Sequence, residues 1–228
     1  MKKQNIALIL AFSVFLTCGS GVCLAQVQEA ILYDITLIGS SEYKDLGVVE
    51  LFGKKVDFVV FHTKVAGFDD TERIYSDPVS GLPIRVEREI AMWLHKEKIT
   101  EEYFPELNKV VITKFESGKK VEEISLNAKG PIQNAILMPF SLRKVSSLDI
   151  GWSTRIRLPE EFKVTIDKIE EVSVGAGKFK AYHFISDPKK FEIWISCDDL
   201  RIPVKITGFG AFSYTMAMKK HTLGEKAQ

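Results

Sequence analysis

Four histidines, His62, His95, His183 and His221, are the side chains best suited to proton transfer or metal ligation near neutral pH. They are scattered singly. None stands at metal-ligand spacing from another histidine or a cysteine, so no zinc motif is encoded locally. His62 and His183 fall in strand-like runs, where the ordinary role is a hydrogen-bonded structural residue. Gly175-Ala176-Gly177 lacks the third glycine of a nucleotide loop and leads into a strand-like run, not a helix. Ser80-Gly81 sits in a turn without a nucleophile-elbow pattern. Cys197 precedes Asp198-Asp199, whose charge raises a thiol pKa and works against a reactive thiolate. Asp69-Asp70 and Asp198-Asp199 lack EF-hand spacing and read as solvated turn acids. No catalytic, cofactor-binding or metal-ligating residue is nominated, and no cofactor is implied.

The elements that would position any site are strands. Ile31, Tyr33, Ile35 and Leu37 share one face; Phe162, Val164 and Ile166 alternate with Lys163, Thr165 and Asp167. Phe191, Ile193 and Ile195 alternate with Glu192, Trp194 and Ser196, and Phe212, Tyr214, Met216 and Met218 line one face of a last strand. Phe58-Val59-Val60-Phe61 is apolar on both faces and reads as a strand covered on both sides. Gly53-Lys54-Lys55, Ser117-Gly118-Lys119, Gly175-Ala176-Gly177 and Asp187-Pro188-Lys189 supply reversal chemistry between runs. The pattern predicts a mainly β fold: an antiparallel, strongly curved sheet or barrel-like meander of about ten strands. One short helix is expected near 131–138, continuing irregularly to Lys144, with Pro131 in its first turn and Pro139 kinking or ending it. It could plug one end or the open side of the sheet.

The first 25 residues read as a removable secretory signal. Lys2 and Lys3 precede Ile6 through Cys18, an apolar run of roughly 13 residues, and Cys23-Leu24-Ala25 ends the segment before a cut at Gln26. A run that short does not span a bilayer, which needs about 20 residues. Cys18 and Cys23 raise a lipid-anchored alternative, but neither is preceded by the residues a lipidated cysteine wants. Without residues 1–25, the 31 basic side chains lose two lysines and become 29, against 30 acidic ones, for a net charge of −1. That balance argues against nucleic-acid binding. Only Cys197 then remains, so no internal disulfide can form. Residues 26–228 are expected to form a single β-rich periplasmic domain with no transmembrane helix.

Two stretches carry a family likeness. The first runs from Ser76-Asp77-Pro78 through Leu82-Pro83-Ile84-Arg85-Val86-Glu87-Arg88 to Ile99-Thr100-Glu101-Glu102-Tyr103. The second comprises Gly177-Lys178-Phe179-Lys180-Ala181-Tyr182, Ile193-Trp194-Ile195-Ser196 and Asp199-Leu200-Arg201-Ile202-Pro203-Val204-Lys205-Ile206. Together they resemble the domain-of-unknown-function 3108 (DUF3108) family of exported bacterial proteins over roughly residues 30–220. Ile136 through Arg143 and Gly151 resemble the family's short helical segment and following strand, with departures at Gln133-Asn134 and Pro139. The resemblance implies a periplasmic or envelope-facing β-rich domain and carries no catalytic residues. In structural terms Asp199 can cap a turn, Pro203 can open an edge strand, Arg201 can pair with a neighbouring acid and Trp194 can anchor the sheet.

Fifteen Phe, six Tyr and three Trp, mostly in strands, are enough both to fill a core and to line a concave face. The leading expectation is non-enzymatic binding of an apolar or lipid-like ligand or a cell-envelope protein. One alternative is an envelope hydrolase whose His183 or His62 meets an Asp, Glu or Ser in a cleft after folding. The other is a structural assembly factor with an exposed apolar patch or open sheet edge.

Overall fold

A computed structural model describes residues 26–36, 39–93, 95–210 and 213–224. The expected signal segment, Leu37 and Phe212 lie outside the described residues. The first strand is β1 (Glu29–Ile35), followed by β2 (Gly39–Leu51), β3 (Lys54–Val65), β4 (Phe68–Ser76) and β5 (Pro83–Met92). Then come β6 (His95–Phe104), β7 (Lys109–Glu116) and β8 (Lys119–Asn127). The one α-helix among the described residues, α1 (Met138–Leu142), precedes β9 (Ser153–Leu158), β10 (Glu160–Val174) and β11 (Gly177–Asp187). The chain finishes with β12 (Phe191–Ser196), β13 (Pro203–Gly208) and β14 (Tyr214–Leu223). Among the described residues no helix is long and apolar enough to cross a membrane.

All fourteen strands form one antiparallel sheet in the order β8-β7-β6-β5-β4-β3-β2-β1-β14-β13-β12-β11-β10-β9. The strand number therefore exceeds the ten or so expected. Alternation marks a strand only where one face is apolar, and β8, almost wholly exposed, has no such face. Two reversals have the geometry their residues suggest. Phe52-Gly53 and Ser117-Gly118 hold both central residues at positive φ, as a two-residue hairpin turn requires.

The sheet is not closed, so the fully barrel-like reading is corrected. Its two edges, β8 and β9, are nonetheless close. Leu126 of β8 and Leu158 of β9 line one hollow, although thirteen inter-strand steps separate them along the sheet. At about 4.8 Å per step a flat sheet would hold them roughly 60 Å apart, so the sheet must bend around on itself. The β10–β11 hairpin bends with it, reaching past the short strands β12 and β13 to donate Ala176 N–H to the Met218 carbonyl of β14 at 2.9 Å.

The connection 128–152 occupies the inside of this bend and the gap between the edges. Gln133 N–H donates to the Arg157 carbonyl at 2.8 Å, which satisfies part of the free edge of β9. Leu137 and Phe140 pack with Tyr43, Val59 and Phe61 of the first half of the sheet. Met138, Leu142 and Leu148 pack with Val164, Ile166, Phe184 and Ile193 of the second. Phe140 stacks on Tyr43 with ring centroids 3.7 Å apart, and the Arg143 guanidinium lies over the Phe140 ring at 5.1 Å. The plug expected from sequence is thus present, but its helix sits at Met138–Leu142, not near 131–138. Asn134 Oδ1 accepts the amides of Ile136 and Leu137 and holds a turn there. Pro139 then falls in the first helical turn, where its missing N–H costs nothing, so it starts the helix instead of ending it.

Arg143 ties this plug to the centre of the sheet. Its guanidinium donates to both carboxylate oxygens of Glu29 at 2.9 and 2.5 Å, and His221 Nε2 lies 2.9 Å from Glu29 Oε1. Burial alone would raise the Glu29 carboxyl, yet the bonds and charge of Arg143, then of His221, hold it below the ordinary range. The outer face of β3 is less covered than expected: Val59 and Phe61 are buried, while Phe58 is half-buried against the Tyr75 ring at 4.8 Å. Removing the acid of the buried pair strands the guanidinium. Glu29→Gln should lower stability by about 3–5 kcal/mol, read as a lower denaturant midpoint with an unchanged slope; an unchanged midpoint would show that the pair does not clamp the plug.

Candidate ligand-binding site

Where the two halves of the sheet face each other beneath the plug, inward side chains leave a cavity of about 280 Å³. Tyr33 (β1), Phe61 (β3), Ile193 (β12), Ile206 (β13) and Met216 (β14) form its walls, and the 135–140 segment forms its roof. Period-two alternation puts all of these on the inner face. The Tyr33 hydroxyl is consumed by a 2.8 Å bond to the Pro203 carbonyl, and burial pushes its pKa up, so the wall is effectively apolar. At the rim, Tyr214 lies across Gly208, whose missing side chain makes room: an added Cβ would sit 2.4 Å from the Tyr214 ring.

A second, polar hollow of about 260 Å³ adjoins it and shares Ala135, Ile136 and Leu158 with it. Glu72 of β4, Arg88 of β5, and Glu101 and Tyr103 of β6 meet here beside the apolar Val110, Ile112, Leu126 and Ile132, and Asp70 of β4 binds Arg88. The register explains why: Glu72 stands between Phe61 and Arg88, so the charged cluster begins one strand beyond the apolar wall. Arg88 is held by Asp70 through Nε–Oδ2 and Nη2–Oδ2 contacts of 2.8 and 2.5 Å. Tyr103 donates its hydroxyl to Glu101 at 2.5 Å. Glu72 is left with a 3.6 Å approach to Arg88 Nε, and burial pushes its carboxyl up to about 7 despite that cation, with Asp70 and Glu101 adding to the shift. The Gln133 side-chain oxygen, on the same hollow, is sealed from solvent with no hydrogen-bond partner among the described residues.

Sequence reasoning missed this cluster. In β4 the inward set is Phe68, Asp70, Glu72, Ile74 and Ser76, and neither face of the strand is apolar enough to say which way it points. The residues that attracted attention lie elsewhere. His62 Nε2 is 2.8 Å from Asp69 Oδ1, but both side chains are well exposed, on the face opposite Phe61. His183 stacks on Trp194 at 4.3 Å, with Lys205 also 4.3 Å from that indole, and Trp194 donates to Glu170. Both His183 ring nitrogens lack hydrogen bonds, with Glu170 and Glu192 at 3.6 and 3.4 Å. Trp194 does anchor the sheet, as expected. Neither histidine meets a serine in these contacts.

Other sequence cues resolve into structure. Burial raises the Cys197 thiol, with Asp198 adding to the shift. Asp198, not Asp199, caps the 198–201 turn by accepting from Ser196 Oγ and the amides of Leu200 and Arg201. Arg201 reaches the carbonyls of Arg143, Val145 and Ser146 instead of an acid, which pins the far end of the plug. Pro203 opens β13, an interior strand, at a register shift where its missing amide is harmless. His95, Glu97 and Glu116 gather at one hairpin end, a cluster invisible to local spacing because Glu116 comes from the next strand. Lys114 already holds its charge, 2.6 Å from Glu97 and 3.4 Å from Glu116.

The raised Glu72 carboxyl has a consequence for stability. A carboxyl whose folded pKa stands above its unfolded value stabilises below the unfolded value and loses that contribution as pH rises through the folded one. Between about pH 4.5 and 7 the wild type should therefore lose stability relative to Glu72→Gln, by roughly 1–3 kcal/mol. Denaturant midpoints of the two proteins measured across that range test this; a constant difference would place Glu72 in a solvated setting.

Comparison with known proteins bears on the whole chain. No curated relative and no solved structure matches it. The family described as "Protein of unknown function (DUF3108)" matches residues 41–218, from within β2 through the first half of β14, and so takes in the plug, the polar hollow and the cavity lining apart from Tyr33. The chain belongs to the DUF3108 family.

Proposed function

We propose that this is an exported periplasmic protein that binds an apolar or lipid-like ligand, without catalysis, in the cavity between the curved sheet and its plug. The cavity carries the reading. Its walls are mainly aromatic and aliphatic with Lys190 also on the lining, its volume approaches the range of small-molecule sites, and polar groups converge at one end. A core built only for stability would close such a space, because each unfilled methylene-sized gap costs about 1 kcal/mol. The positive, apolar and small-residue order of the first 25 residues supports the export half of the reading.

Native mass spectrometry of protein recovered from its own compartment, followed by solvent extraction, tests both halves. The expected result is a chain beginning at Gln26 that carries a low-mass amphiphile; a chain retaining residues 1–25 would refute export, and empty protein that takes up no added lipid would refute binding. Ile206→Phe places a ring in the space between Ile193 and Met216. Displacement titration with an apolar fluorescent probe should show affinity falling at least about tenfold in this variant, with the fold kept; equal affinity would move the binding site elsewhere.

A further inference from the structure

The cavity reading leaves the chemistry of the ligand's polar end open, and the adjoining hollow specifies it. We propose that the polar hollow receives the positively charged amine of an amphiphile whose apolar body fills the cavity, so that Glu72 and the Gln133 side-chain oxygen are its acceptors. This rests on the cavity being a binding site.

Three carboxylates, Asp70, Glu72 and Glu101, surround one guanidinium, Arg88. Asp70 takes the Nε and Nη2 donors of Arg88 and Glu72 lies 3.6 Å from Nε, so the charge of the guanidinium is already shared between two carboxylates. Glu101 is engaged by the Tyr103 hydroxyl. The acceptors the hollow still offers are the Glu72 carboxylate and the solvent-sealed Gln133 oxygen. A carboxylate or phosphate head would bring another anion beside acids that already disfavour ionisation of Glu72. A neutral hydroxyl could use one acceptor but would leave the excess charge uncompensated. An ammonium supplies several donors and the missing positive charge at once.

The path between the two compartments is short. Glu72 lies next to Phe61 of the cavity wall in register, and Ala135, Ile136 and Leu158 line both spaces. The ionisable groups facing Glu72 are Asp70 on its own strand, Arg88 on β5, Glu101 and Tyr103 on β6 and Tyr214 on β14. An ammonium arriving among them favours the ionised form of Glu72, so binding releases a proton and strengthens as pH rises through the titration of that carboxyl.

Isothermal titration of the purified protein with decylamine, decanol and decanoate tests the assignment. Decylamine should bind at least about tenfold more tightly than decanol, the scale of one charge-assisted hydrogen bond, and decanoate most weakly. Its affinity should rise between about pH 6 and pH 8. Glu72→Gln should erase the preference for the amine and leave decanol binding within about twofold; Gln133→Leu should weaken the amine selectively. Decanoate binding as tightly as decylamine, or a preference that survives both substitutions, overturns the assignment. Decanol binding as tightly as decylamine overturns it while leaving the cavity reading intact, and failure of all three probes to bind overturns both.

Discussion

β8 and β9 follow one another in the chain and stand at opposite edges of a fourteen-stranded sheet. A hairpin between them would have closed a barrel. Instead, residues 128–152 cross from one edge to the other, and everything distinctive about the interior depends on that crossing. The crossing segment supplies the apolar groups that both halves of the sheet need: Leu137 and Phe140 for one, Met138, Leu142 and Leu148 for the other. It also covers part of the edge that a missing hairpin leaves unpaired, through the Gln133–Arg157 backbone bond. The opposite edge, β8, is protected differently, by a run of Lys and Glu side chains that makes edge-to-edge pairing unfavourable.

Because the crossing segment is mostly irregular, it cannot pack with the density of a further strand layer. Its polar backbone must be satisfied inside the bend, and it is, by Asn134 at the start of the turn and by Arg201 reaching the carbonyls at the far end. The buried Arg143–Glu29 pair fixes it at one point to the strand at the centre of the sheet. Such a pair contributes little net stability compared with apolar packing, but it specifies one position for the plug. The cavity is the space left between an irregular roof so anchored and a regular curved wall.

The same geometry places charge where a packed β protein would place leucines. Asp70, Glu72, Arg88 and Glu101 occupy inward positions on three neighbouring strands, and the Arg88–Asp70 clasp compensates only part of their burial. Holding an additional acid there disfavours its ionised form.

The antiparallel β class was legible from alternation alone, as were the hairpin reversals at Gly53 and Gly118 and the inward positions of Ile31, Tyr33, Val164, Ile166 and Met216. Family membership was legible as well, from the segments around residues 76–103 and 177–206. These are local properties: side-chain period, turn conformation and short-range residue order are written within a few positions of each other. Histidines could be judged isolated from metal partners in sequence, but the gathering of His95 with Glu116, or of Glu72 with Arg88 and Glu101, depends on which strands lie side by side. Those strands are successive neighbours, so their register decides these gatherings, whereas the β1–β14 pairing and the crossing of residues 128–152, contacts between residues far apart in the chain, decide how the two halves of the sheet face each other. The sequence by itself determined a β-rich chain with its apolar faces and turns; only the tertiary structure decided where the sheet stays open, which acids turn inward, and what space they enclose, because register and curvature arise from packing across the whole sheet and not from any one strand.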